Sequence, residues 1–124
     1  MDLNSIMIGS DNSDRLKEYY TKLFGKPAYE DPGYGFSSWQ IGTGWLSVGP
    51  HDQVKGKNTS PGRILWNIET PDVKSEFERL KEAGAAVVQE PYNPGGPDMP
   101  DAWVCTFADP DDNYFQLMSP MTDM

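Results

Sequence analysis

Two residue types that build most small-molecule active sites are nearly missing: the 124-residue chain has one cysteine and one histidine. Cys105 has no partner for an intramolecular disulfide, a CxxC redox pair or a Cys-rich zinc site, so it reads as a small core residue. His51 lies beside Asp52 in a polar stretch and reads as a surface residue, because adjacency in sequence is not convergence in space. Basic residues are also scarce, 10 Lys and Arg against 19 Asp and Glu, for a formal net charge of −9. None of them cluster densely enough to follow a phosphate backbone or an anionic bilayer, so neither nucleic acid nor membrane is expected as a partner. No segment approaches the ~20 apolar residues of a membrane span, and Asp2 and Asn4 stand where a secretory leader would carry basic charge and then an apolar run. A cytoplasmic location is expected. The length is that of one domain, residues 1–124, with no room for a second.

What is present is a repeat. Leu16, Tyr19, Tyr20, Leu23 and Phe24 fall on one stripe of a helix, with Ser13 placed to cap its start and Gly25 to stop it. Val73, Phe77, Leu80 and Ala83 make a second stripe, with Thr70 at the N-cap, Pro71 at the first helical position, Asp72 in the first turn and Gly84 as the stop. Short extended runs flank each helix, 6–8 and 27–29 around the first, 64–68 and 85–88 around the second. A Gly-, Pro- and Asp-rich loop follows in each half, 31–35 and 91–101, and then two more strands, 36–41 and 45–48, or 103–107 and 114–118. The fold class expected is therefore α+β, two βαβββ units over 1–57 and 58–124, joined by a polar linker at 51–62. A four-stranded sheet with one helix covers only one of its faces, so curved mixed sheets should surround a half-open cavity lined by the faces opposite the helices.

Several segments carry a family resemblance: the helix end Tyr-Tyr-Thr-Lys-Leu-Phe-Gly at 19–25, the helix end Phe-Glu-Arg-Leu-Lys-Glu-Ala-Gly-Ala at 77–85, and the Asp-Pro-Asp-x-Asn hairpin at 109–113. In that order, within paired βαβββ units, they resemble the vicinal oxygen chelate superfamily of glyoxalases, extradiol dioxygenases, fosfomycin-modifying enzymes and bleomycin-binding resistance proteins. The resemblance implies up to four metal-ligand positions, one on the first and last strand of each unit. They fall here on Asn4 or Ser5, on Trp45, Leu46 or Ser47, on Arg63 and on Gln116, none of them His, Cys, Asp or Glu. Carboxamides bind divalent cations weakly and Arg63 would seat a permanent positive charge, so no metal and no cofactor is expected. The resemblance also implies a homodimer.

Strand alternation puts Arg63, Leu65 and Asn67 on one face and Ile64, Trp66 and Ile68 against the helix; likewise Gln116 with Tyr114 and Met118, against Phe115 and Leu117. The ligand-binding residues expected are Arg63, Asn67, Gln116 and Asn4, with aromatics Trp39, Trp45, Tyr92 and Trp103 at the rim, where Tyr34 and Phe36 also fall. Arg63 should pair with the oxygens of Asn67 and Gln116 when no ligand is present. The segment 91–100, with Met99 near its end, is either a lip over the cavity or a solvated connection. The reading that follows is a metal-free protein that sequesters a planar or polar small molecule. The alternative is a glyoxalase- or dioxygenase-like enzyme, a lyase or oxidoreductase, for which Glu30, Glu69 and Glu90 are the carboxylates nearest strand ends; a third is an interaction module.

Overall fold

In a computed structural model, which describes residues 1–120, the chain divides into two compact units, Met1–Lys57 and Asn58–Met124. The first runs β1 (Ser5–Ser10), α1 (Ser13–Phe24), β2 (Tyr29–Asp31), β3 (Phe36–Ile41) and β4 (Gly44–Pro50). The second runs β5 (Leu65–Glu69), α2 (Val73–Glu82), β6 (Ala86–Tyr92), β7 (Val104–Ala108) and β8 (Tyr114–Met118). Each sheet is four-stranded, ordered β1-β4-β3-β2 and β5-β8-β7-β6, with the first and last strands of the unit parallel and the other pairs antiparallel. Two βαβββ units of an α+β protein are thus present, and neither sheet closes on itself. No helix among the described residues is long and apolar enough to cross a membrane.

In the first unit the core lies between α1 and one sheet face. Leu16, Tyr20 and Leu23 meet Ile8, Trp39, Leu46 and Val48, all buried. The Trp39 indole N–H donates to the Gly25 carbonyl at 2.8 Å, tying β3 to the end of α1, and Gly25 reaches φ 88°, which a residue without a Cβ adopts freely. Glu30 of β2 and Lys17 of α1 form an ion pair, which holds the Glu30 carboxyl below its ordinary range. Ser13 is the first residue of α1 rather than its cap; the cap position is Asn12, whose own N–H is received by the Ser10 hydroxyl at 2.9 Å.

In the second unit, α2 lays Val73, Phe77 and Leu80 on Trp66, Phe107, Phe115 and Leu117, with Trp66 stacked on Phe115 at 5.0 Å and Phe77 on Phe107 at 5.5 Å. Cys105 is fully buried in this layer, and burial pushes its thiol up to about 11. The α2 cap is Asp72, which accepts from the Ser75 N–H at 3.1 Å, and not Thr70. The strand expected at 85–88 runs on as β6 to Tyr92 with two register shifts; as an edge strand it tolerates Pro91, whose missing N–H no neighbour requires. The loop that follows is built around Asn93, whose carboxamide oxygen accepts from Gly95 and Gly96 and whose NH2 donates to the Met99 carbonyl at 2.8 Å. The 109–113 turn is held the same way, Asp109 accepting from the N–H groups of Asp111 and Asn113 at 2.9 Å.

Candidate functional site

Side chains alternate across a sheet, so the residues between the core positions define a far face in each unit, away from its helix. In the first unit the register pairs Ser5 with Trp45, Met7 with Ser47, Ser47 with Ser38 and Ser38 with Tyr29. Two rows result: a row of hydroxyls, Ser47 and Ser38, ended by Met7 and Tyr29, and a neighbouring one with Ser5 and Trp45. The two hydroxyls sit 2.7 Å apart, within hydrogen-bond reach. A cavity of about 390 Å³ opens over them, lined by Asn4, Ser5, Tyr29, Ser38, Trp45 and Ser47. Asn4 precedes β1, and its carbonyl accepts from the Trp45 N–H at 3.1 Å, fixing the strand end that carries the ring. The cavity is of the size that takes a small organic ligand.

The other end of the same face is filled. A Cβ at Gly49 would lie 2.0 Å from the Phe36 ring, and one at Gly9 would lie 2.7 Å from Cβ of His51. Gly9 and Gly49 are register partners, so two adjacent glycines make room for two rings. Tyr34 then stacks on Phe36 at 6.3 Å. His51 accepts the Gln53 N–H at Nδ1 (3.2 Å), which places the neutral ring's proton on Nε2, and its approach to Asp52 is a long 3.8 Å between exposed groups.

The far face of the second unit carries a corresponding polar row. Register pairs Asn67 with Gln116, Gln116 with Thr106 and Thr106 with Gln89. The Gln116 NH2 donates to the Thr106 hydroxyl at 2.9 Å, and the Asn67 NH2 to the Leu65 carbonyl at 3.4 Å. Tyr92 pairs with Val104 and lies on this face, exposed at the edge strand.

Five expectations change. Arg63 is not on the strand: it closes a 3-10 turn, Pro61–Arg63, its N–H donating to the Ser60 carbonyl, and is exposed. Proline at the start of that turn suits helical backbone; Ile64, extended but ahead of β5, is exposed rather than core. The amides of Asn67 and Gln116 therefore bond within their own sheet and not to Arg63. Trp39 is 2% exposed in the core under α1, and Trp103 lies against α2, with the Lys74 ammonium 3.6 Å above its ring; neither stands on a far face. Asn4 and Trp45 do line the cavity, and Asn67 and Gln116 do share a far face. Tyr29 and Ser38 were not anticipated, although alternation with Trp39 would have found Ser38 once Trp39 was assigned to the core.

Of the positions that the resemblance marks as metal ligands, Asn4, Ser5, Trp45, Ser47 and Gln116 carry carboxamide, hydroxyl or indole, Leu46 is core, and Arg63 lies in the 3-10 turn and carries a guanidinium. Among the described residues no three His, Cys, Asp or Glu side chains converge. This donor set does not suit a divalent cation, which needs imidazole, thiolate or carboxylate.

The sequence model of the family described as a glyoxalase-like domain matches residues 5–118. No curated protein matches the sequence. Among solved structures, a glyoxalase-related enzyme from Fulvimarina pelagi is similar at 17% identity and a TM-score of 0.72, over 97% of this chain and 88% of that one. A member of the glyoxalase/bleomycin resistance protein/dioxygenase superfamily from Sphaerobacter thermophilus is similar at 18% identity and 0.71, over 97% and 98%. The genomically encoded fosfomycin resistance protein FosX from Listeria monocytogenes is similar at 14% and 0.64, over 99% and 94%. At these identities the likeness shows the shared fold.

Proposed function

Because this chain belongs to the glyoxalase-like domain family, we propose that it is a small-molecule binding protein that holds a planar, polar organic ligand without a metal and without converting it. The observation that carries this is the cavity on the first unit's sheet: a floor of serine hydroxyls between Tyr29 and Trp45, with no carboxylate, imidazole or thiol in its lining. Such a lining can stack on a flat ring system and hydrogen-bond its substituents, and the Tyr29 phenol is its one side chain of a type that serves as a general acid or base. Sequestration asks for nothing more.

A panel of metabolites and natural products, scored by thermal shift and tryptophan emission and followed by product analysis of each hit, tests the reading. A hit recovered unchanged, and weakened by Trp45→Leu, supports it; turnover overturns it. The enzymatic reading has one feature in its favour, His51 seated over Gly9 at the filled end of the same face, and turnover abolished by His51→Gln would establish it.

A further inference from the structure

Resting on the binding reading above, we propose that the cavity on the first unit's sheet selects flat cations, aminoarenes or amidinium-bearing aromatics, over neutral and anionic ligands of the same shape. Its lining holds no Lys, Arg or His. An anion entering it would trade water for hydroxyls, one carboxamide and two aromatic rings, with no positive charge to offset the lost hydration. A delocalised cation meets the reverse situation. Tyr29 and Trp45 both line the cavity, the face of an aromatic ring is negative at its centre, and Trp is the strongest such partner among side chains. Serine hydroxyls rotate, so Ser5 and the Ser38–Ser47 pair can turn oxygen lone pairs toward N–H groups of the ligand.

The surrounding charge acts in the same direction. The chain carries −9 overall, which concentrates cations at its surface and repels anions. Lys17 is paired with Glu30 of β2 on the helix side of the sheet, and Lys26 also acts electrostatically on that carboxylate.

Three probes share one tricyclic frame and differ in charge: proflavine, a cation with two amino donors, acridine, neutral at mildly alkaline pH, and acridine-9-carboxylate. Titrated against the full chain at physiological ionic strength and read by fluorescence anisotropy, they should bind in that order, proflavine about tenfold tighter than acridine, as cation–π attraction implies. Trp45→Leu should cost proflavine about tenfold, and Ser47→Lys, which seats an ammonium in the floor, should abolish its advantage while circular dichroism shows the fold retained. Equal affinities for all three probes, or a preference for the carboxylate, overturn the inference and leave the binding reading standing. Proflavine binding unchanged in both variants also overturns it, since the cation would then adhere elsewhere. No binding by any probe overturns the inference and the choice of this cavity together.

Discussion

At the scale of single residues, the chain's chemistry is decided by which face of a strand a side chain occupies. At Gly49 a Cβ would meet the Phe36 ring at 2.0 Å, so any other residue there forces that ring to move. Gly49→Ala is therefore expected to cost about 1–3 kcal/mol, the usual penalty of overpacking, and Phe36→Ala in the same chain should recover part of it; denaturant melts of the three variants check this. Cys105 gives a pH signature. With its thiol at about 11 in the folded state, the unfolded chain loses the proton first, so stability is full below about pH 9 and falls as pH rises through 11, by up to about 1.4 kcal/mol per pH unit. Cys105→Ala should flatten that alkaline decline by this amount relative to the parent protein, although it lowers stability at neutral pH. For Arg63, exposed in its turn, Arg63→Met is expected to change stability by no more than about 0.5 kcal/mol. The aromatic face assignments were the least legible part of the sequence. In Phe36-Ser-Ser-Trp-Gln-Ile the apolar residues fall at 36, 39 and 41, which satisfies neither parity, and only the contact of Trp39 with Gly25 settles it. Trp103 was readable, since it shares parity with buried Cys105 and Phe107.

Elements were more legible than faces, because a helix stripe repeats several times while a strand offers two or three residues per side. The α1 stripe and its glycine stop, β3 and β8 stand where periodicity placed them. The ends that moved are those where two signals compete. In Thr70-Pro71-Asp72 both polar residues are good caps, and Asp72 takes the role because its carboxylate reaches the Ser75 N–H. Asp72→Ala is expected to cost about 1 kcal/mol in a thermal melt, and Thr70→Ala clearly less, which separates the two candidates. The edge strand β6 outran its apolar run because its partner β7 supplies hydrogen bonds past the register shifts, a tertiary effect no local pattern announces.

For the molecule as a whole, the repeat was the strongest signal and the ligand the weakest. The same strand order recurs in both units, yet one places serines and the other carboxamides in the corresponding polar row. With that donor set, protein purified without a metal-binding tag should contain well under one equivalent of Zn, Ni, Fe or Mn by elemental analysis, and EDTA should leave its Tm unchanged. Multi-angle light scattering is expected to report a homodimer, with the mass of a single chain as the contrary result. The sealed position of Cys105 has a practical corollary. A thiol that is buried and protonated at neutral pH is inert to maleimides, so the native chain is blank to them even though it contains a cysteine. Ser38→Cys would then create one attachment point, on the cavity floor, where an environment-sensitive dye could report occupancy directly.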